Sequence, residues 1–372
     1  MVFWTEAFWP AIGGVEVLAS RLLPALSQRR HEILVVTDDD MGRLPSQDEF
    51  RSIVVRRPSM RAALLSRSPE RIAAVRAETA ALMQAFRPEI VHLNCPGASG
   101  FFLRRTPTSR RVPLLATLHS ERAMPSGGSA TLVAKLVADA DWVTAVSEQV
   151  LAAARLALPS IASRSSVVYN AVEEPAEEPQ PLPFDPPVLL YLGRLAPEKG
   201  VDRALMTLSR VASIYPHIRL VVAGDGPERP TLEAQATQLG IRDAIDFVGW
   251  VSPARVPALI NSATLVLMPS RWEGLPLAGI EAALMARPIV GTPVGGLAEL
   301  VENGVTGLLV NGAPTELADA VVSLLGDRDR ATAMGWAARR RAQALFGWGT
   351  CVDSYDRMYE KVRRENVHGR VG

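Results

Sequence analysis

The sequence predicts two α/β domains in tandem, each built on a parallel β-sheet. Three observations point there. Short apolar runs alternate with longer amphipathic stretches on both sides of residue 173, the rhythm of a doubly wound sheet. The chain has 372 residues, which suits two cores better than one. Residues 173–187, EEPAEEPQPLPFDPP, are too rich in proline and acid to build a core and read as an extended connector. The expected domains are therefore residues 1–172 and residues 188–349, joined by 173–187 and followed by one more helix.

Composition narrows the function classes. At 48% hydrophobic and 21% charged, the chain has the make-up of a globular enzyme with sizeable cores. A net charge of +1 gives no nucleic-acid signature, so no nucleic-acid partner is expected. The charge is uneven, at about +5 through Ala171 and about −4 after it. Two cysteines, Cys95 and Cys351, suggest a reducing compartment without a disulfide framework. No apolar run approaches the roughly 20 residues of a membrane span. Glu6 interrupts the only apolar segment near the start, so no signal peptide is expected. The expected location is cytoplasmic, with peripheral contact at the inner membrane face left open.

The first domain reads as follows. Residues 2–8 are a strand. Trp9-Pro10-Ala11-Ile12-Gly13-Gly14 is a loop, and residues 15–28 form an amphipathic helix. Glycines between a strand and a helix let the backbone approach a ligand, with helix N–H groups aimed at an anion. No G-x-G-x-x-G appears, so this is not a dinucleotide fingerprint. Residues 31–37 (HEILVVT) and 51–57 are strands, with a polar loop between them. Residues 58–86 read as helical and rich in arginine, with Arg61, Arg67, Arg71 and Arg76 interleaved with Leu64, Leu65 and Ile72. Such a stretch suits either a solvated helix face or an anionic membrane surface. Residues 89–93, 114–118, 142–147 and 167–171 are further strands. His119 follows one of them directly, at the end where open α/β sheets bind ligands.

The second domain opens with a strand at 188–192 and the loop Gly193-Arg194-Leu195-Ala196-Pro197-Glu198-Lys199-Gly200 before a helix at 201–215. Arginine can grip two phosphate oxygens at once and lysine adds a point charge, so this turn suits a diphosphate. A strand at 219–223, a helix at 231–240 and a strand at 244–248 follow, leading to Gly249-Trp250-Val251. A short helix at 256–263 precedes a buried strand at 263–268. Residues 271–276 form a loop that ends in Pro276, which suits a first helical turn. Residues 277–285 are a helix and 288–292 a strand. Helices close the chain at 315–325, 328–346 and 350–364.

Two acids stand in this region, Glu273 on the loop and Glu281 on the helix, seven residues lying between them. Gly274-Leu275-Pro276 follows the first acid. Gly295-Gly296-Leu-Ala-Glu299-Leu-Val and Asn303-Gly304-x-Thr306-Gly307 lie downstream. With GRLAPEKG, this set resembles the retaining family 4 glycosyltransferases of GT-B fold, the glycosyl transferases of group 1. The resemblance implies two Rossmann-like domains facing across a cleft, with the helix at 350–372 crossing back to the first. The donor implied is a UDP- or GDP-sugar, and no other cofactor. Arg194 and Lys199 would hold the diphosphate, helped by N–H groups at Leu277 and Ala278, with Gly14 close by. Glu281 would take the ribose hydroxyls and Val251 the base. Glu273, with the backbone of Gly274 and Leu275, would contact the donor sugar, and His119 would face that sugar. The catalytic set is thus His119, Glu273, Arg194 and Lys199. No DxD-type metal site is apparent, and arginine with lysine can replace the cation, so no metal is inferred. Retention is implied, by front-face attack in which the departing phosphate takes the acceptor proton. Many relatives carry Phe-Gly where this chain has Leu275-Pro276, which removes one backbone donor. Two other readings remain open. One is a nucleotide-sugar epimerase of GT-B fold, which GRLAPEKG argues against. The other is a non-catalytic sugar-nucleotide-binding protein, which the four intact polar residues argue against.

Overall fold

The computed structural model describes residues 1–106, 111–124 and 130–368. It divides into two compact units. One comprises Met1–Tyr169 with Gly349–Gly372, the other Asn170–Trp348.

The first unit holds eight strands: β1 (Val2–Thr5), β2 (Leu34–Val36), β3 (Gln47–Phe50), β4 (Ile53–Arg56), β5 (Val91–Asn94), β6 (Leu114–Leu118), β7 (Trp142–Ala145) and β8 (Ser165–Val167). Their order is β3-β4-β2-β1-β5-β6-β7-β8. All neighbours pair in parallel except β3 with β4. The continuous apolar runs are explained by burial on both faces: every residue of β1 and β2 is buried. The register sets Val2 against Leu34 on one side and Val91 on the other. The chain therefore leaves β1 to one side and returns on the other, which makes the β1/β5 edge the switch point of this sheet.

Three expectations for this unit need correction. The last strand, expected at residues 167–171, is Ser165–Val167. The polar residues around 47–50 form β3, an antiparallel edge strand whose side chains are exposed or half-buried. Its apolar alternation is too weak to show in sequence. The single helix expected over residues 58–86 is two, Met60–Ser66 and Pro69–Phe86. Arg67 adopts a left-handed cap at φ 53°, the Ser68 hydroxyl accepts from the Arg71 N–H, and Pro69 opens the second helix.

A helix at Trp348–His368 docks on this unit. Tyr355 and Tyr359 are buried. The Tyr359 hydroxyl meets His92 Nδ1 at 2.8 Å, and the Lys361 ammonium lies 3.4 Å over the Trp142 ring. His31 pairs with Asp356 at 2.7 Å.

The second unit carries β9 (Val188–Leu192), β10 (Arg219–Ala223), β11 (Ile245–Gly249), β12 (Leu265–Met268), β13 (Ile289–Gly291) and β14 (Gly307–Leu309) in the order β11-β10-β9-β12-β13-β14, all parallel. The switch point here lies between β9 and β12. Leu205, Leu208 and Val211 of the helix Val201–Ala212, and Leu317, Val321 and Leu324 of the helix Pro314–Leu325, pack on Leu189, Leu220 and Leu267. Strand β14 is three residues long, and sequence periodicity does not detect so short a run.

The segment 173–187 lies along this second unit. Leu182 and Phe184 pack against its core. The Gln180 N–H donates to Asn261 Oδ1 at 3.0 Å. Arg287 is fully buried and donates to the carbonyls of Gln180, Ile260, Asn261 and Met285 at 2.8–3.1 Å. The proline-rich stretch is thus tied down by one interior guanidinium that meets four backbone oxygens. Among the described residues no helix is long and apolar enough to cross a membrane, and Cys95 and Cys351 are free.

Candidate active site

In the second unit the loops that leave β9 and β12 meet at the switch point. Gly200 has φ 67°, and a Cβ there would fall 2.1 Å from the Pro269 carbonyl oxygen, so only glycine allows this approach. The Arg271 N–H donates to the Glu198 carbonyl at 2.7 Å. The Arg271 guanidinium grips Asp202 through two bonds of 2.7 and 2.8 Å. Two loops from different strands are thereby fixed against each other.

That approach brings Lys199 and Glu273 together. The Lys199 ammonium lies 2.7 Å from both Glu273 oxygens. Ser270 Oγ adds a donor to Oε1 at 2.8 Å. Glu273 is 5% exposed and Lys199 keeps 26% of its side-chain surface. A buried carboxylate needs such partners, since an unpaired one would carry a desolvation cost of several kcal/mol.

The loop after β13 supports Glu273 from behind. Gly295 has φ 51°, and a Cβ there would meet the Glu273 carbonyl oxygen at 2.0 Å. The Gly296 N–H donates to the Gly274 carbonyl. The Asn170 amide donates to the Leu275 carbonyl at 2.8 Å. Leu275 is buried, and Pro276 caps the helix Leu277–Leu284 from the N-cap position with extended ψ 122°, one residue before the first turn. Gly279 and Ile280 N–H groups both donate to the Pro276 carbonyl, so the helix start presents the N–H groups of Leu277 and Ala278, which no intrahelical bond can satisfy.

The remaining predicted residues fall as follows. Arg194 sits on the same loop as Lys199, but its side chain is 64% exposed and its guanidinium pairs with Glu198 four residues on. The loop is closed by Tyr191, whose hydroxyl donates to the Arg194 carbonyl at 2.8 Å. Glu281 is half-buried on the helix after the Glu273 loop, and Val251 is half-buried after β11. Gly14 opens the helix Gly14–Gln28 in the first unit, with Gly13 as an extended N-cap.

His119 follows β6 in the first unit and is half-buried. Its Nε2 lies 2.7 Å from Asn94 Oδ1. The Thr5 hydroxyl donates to the Ala7 carbonyl at 3.1 Å, so it accepts from the Asn94 amide nitrogen at 3.5 Å. Asn94 Oδ1 is then the acceptor and His119 Nε2 carries the hydrogen. Burial lowers the His119 pKa from 6.5 to about 4, so the ring is neutral near pH 7 and Nδ1 is an acceptor. Behind it runs a buried chain from Tyr359 to His92, Thr117 and Thr144, with contacts of 2.7–2.8 Å. Sequence reasoning missed Asn94, Ser270, Arg271 and Asp202. The signal for Asn94 was its place at the last residue of a buried strand, where a polar side chain is unusual.

A hollow of about 970 Å³ elsewhere in the second unit is lined by Phe184, Ile214, Tyr215, Ile241 and Arg328, around residues that precede β9, β10 and β11. That is the amino end of the sheet, opposite to where such sheets bind ligands. Among the described residues no group of three or more potential metal ligands occurs.

Two family models match the chain. "Glycosyl transferases group 1" matches residues 173–341 and "Glycosyltransferase Family 4" residues 12–174. The chain belongs to the GT-B glycosyltransferases. It is 35% identical over 179 residues to an α-D-kanosaminyltransferase of Streptomyces kanamyceticus, covering 48% of this chain and 46% of that one. It is 31% identical over 271 residues to glycogen synthase of Mycobacterium tuberculosis, covering 68% and 64%. It therefore spans about half to two thirds of those two relatives. Over 98% of both chains it is 25% identical to N-acetyl-α-D-glucosaminyl L-malate synthase of Bacillus anthracis. Among solved structures it resembles sucrose-phosphate synthase of Thermosynechococcus elongatus, with TM-score 0.82, 22% identity, and coverage of 97% and 99%. It also resembles Anabaena HepE in complex with UDP-glucose, with TM-score 0.75, 21% identity, and coverage of 97% and 100%. These two likenesses show the GT-B fold.

Proposed function

We propose that this protein moves a sugar from a nucleoside-diphosphate sugar to an acceptor hydroxyl, with retention at the anomeric carbon and without a metal. One observation carries the reading. At the β9/β12 switch point a lysine and a buried glutamate are held against each other, beside a helix start whose first N–H groups no intrahelical bond can satisfy. A diphosphate would draw Lys199 toward its oxygens, with the N–H groups of Leu277 and Ala278 as further donors. Glu273 would then exchange an ammonium for hydroxyls of the transferred sugar. Charge grows on the diphosphate as the glycosidic bond breaks, so fixed donors aimed there speed departure. Arg194 joins by leaving Glu198, an exposed pair of small net worth. Cations held in this way make a metal unnecessary. Glu281 takes the ribose and Val251 the base. His119, as a neutral acceptor at Nδ1, serves the transferred sugar rather than a phosphate. The departing phosphate takes the acceptor proton in a front-face displacement.

The named relatives are transferases or synthases of glycosides, and UDP-glucose is bound by the Anabaena neighbour. Both support a nucleotide-sugar donor here, UDP- or GDP-linked. Peripheral contact with an anionic membrane is part of the same reading, through Arg61, Arg67 and Arg71 beside Leu65, which is 64% exposed. A thermal-shift panel of nucleotide sugars tests the donor, because a ligand that binds the folded state raises its apparent stability. Equal, zero shifts for every UDP- and GDP-sugar would reject the reading.

A further inference from the structure

A row of polar side chains crosses the buried sheet of the first unit. Thr5 of β1 stands in register with Asn94 of β5, Asn94 with Thr117 of β6, and Thr117 with Thr144 of β7. In-register partners on parallel strands turn their side chains to one face, so the row runs unbroken over four strands. All four residues are buried, and apart from them and His92 these strands are apolar. Buried polar side chains are uncommon and need partners.

The partners are supplied within the row and from behind it. Thr117 Oγ1 lies 2.7 Å from Thr144 Oγ1 and 2.7 Å from His92 Nε2. His92 is fixed in turn by the Tyr359 hydroxyl at its other nitrogen and by the Phe3 ring, whose centroid lies 4.9 Å away. Asn94 is the member that reaches out of the row, to His119. Its amide cannot be turned over without loss. The Thr5 hydroxyl already gives its hydrogen to the Ala7 carbonyl, so it has none for Oδ1. One orientation serves both ends, with Nδ2 toward Thr5 and Oδ1 toward His119 Nε2. Nδ1 of His119 has no hydrogen-bond partner among the described residues. Burial lowers His119 to about 4, and it lowers the neighbouring His92 to about 3, so neither ring carries charge near neutrality. At pH 7.5 fewer than about one His119 ring in a thousand holds a second proton.

We infer that Asn94 is a positioning residue, which keeps the hydrogen of His119 on Nε2 so that Nδ1 can only accept, and that the donor sugar therefore turns a hydroxyl rather than a carboxylate to this ring. A hydroxyl has a hydrogen to give to Nδ1. A uronate carboxylate has none and would set its lone pairs against that of the imidazole. The transferred group is then a neutral glycosyl group and not a uronic acid. The inference rests on the transferase reading, in which His119 serves the transferred sugar, and narrows the donor class for it.

The test begins with nitrogen NMR of the full chain carrying isotope-labelled histidine, at pH 7.5, with His119→Gln used to assign the signals. His119 should show a protonated Nε2 and a bare Nδ1. Calorimetry then compares UDP-glucose, UDP-glucuronate and UDP, and in parallel GDP-mannose, GDP-mannuronate and GDP. In the series whose free nucleotide binds, the neutral sugar nucleotide should bind at least roughly tenfold more tightly than the uronate. Asn94→Asp accepts the same hydrogen but adds a charge that favours the imidazolium, whose Nδ1 donates instead. It should put a hydrogen on both ring nitrogens and narrow that ratio roughly tenfold. An asparagine with a merely structural role would change stability and leave both readings alone. A bare Nε2 in the parent, a uronate that binds the parent as tightly as the neutral sugar, or an unchanged ratio in Asn94→Asp would overturn the inference. The first two are read on the parent, so they decide even where the variant does not fold. Binding of neither UDP nor GDP would sink the donor reading instead, and the ring spectrum separates that failure from this one.

Discussion

Removing Lys199 should damage stability and catalysis for the same reason, and a second substitution should separate them. In Lys199→Met, the buried Glu273 carboxylate keeps only the Ser270 hydroxyl among its side-chain partners. Breaking a buried pair from one side costs about 3–5 kcal/mol. Lys199 retains 26% exposure, so water replaces part of the loss and about 2 kcal/mol is the better figure. For a unit of this size that lowers Tm by roughly 4–8 °C. Pairing the change with Glu273→Gln removes the stranded charge. The double variant should regain stability to within about 1 kcal/mol of the parent. Its transfer rate should stay low, roughly 10²- to 10³-fold down, because both groups act on the donor. Denaturant unfolding read beside initial rates decides it. A double variant as unstable as Lys199→Met would refute the ion-pair argument. One with near-parental turnover would refute the functional one.

Other outcomes follow from the same geometry. Glu281→Gln should weaken the donor and the free nucleoside diphosphate together, whereas Glu273→Gln should spare the free diphosphate and depress turnover, as calorimetry beside steady-state rates would show. A Glu273 variant that loses the diphosphate as badly as the Glu281 variant would overturn that division. Acid should destabilise the first unit. Burial lowers His92 from 6.5 to about 3 and His119 to about 4, so the unfolded chain binds more protons through that window. Stability is then full above pH 6.5 and falls as pH drops, by about 2 kcal/mol per histidine between pH 7.5 and pH 5. Unfolding at both pH values checks this, and a His92→Gln variant should lose about half of the effect. Arg61 on the helix Met60–Ser66, Arg67 at its C-cap and Arg71 on the next helix are exposed and should add about 1 kcal/mol each at an anionic surface. Equal sedimentation with neutral and anionic vesicles would reject the membrane contact.

Much of the fold was legible because the second sheet and all of the first except its β3 edge are parallel, with the central strands buried. Runs such as VFWT and LVLM carry no alternation to misread, and glycine or proline closes several, as Pro269 closes LVLM. What escaped was local chemistry that periodicity does not see. The Ser68-Pro69-Glu70 start was visible in the sequence, yet the arginine-rich stretch around it read as one helix. Strand β3 pairs on one side only, so no buried face imposes a pattern on it. In the site, Glu273 and Lys199 were named from their motif, but their mutual pairing was not, since 74 residues separate them. The same holds for Arg287, whose four carbonyl partners lie on three segments, and for the row from Thr5 to Thr144, which only the strand order brings together. Arg194 shows the converse: the motif names it, while its guanidinium rests on Glu198.

The central claim is that the β9/β12 switch point holds a nucleoside diphosphate through Lys199. Isothermal titration of UDP and GDP into the parent protein and into Lys199→Ala tests it most directly. One of the two nucleotides should bind the parent with measurable heat, and the substitution should weaken it at least tenfold, the loss of one charge-assisted contact to phosphate. Binding of neither nucleotide to the parent, or equal binding to both proteins, would contradict the account.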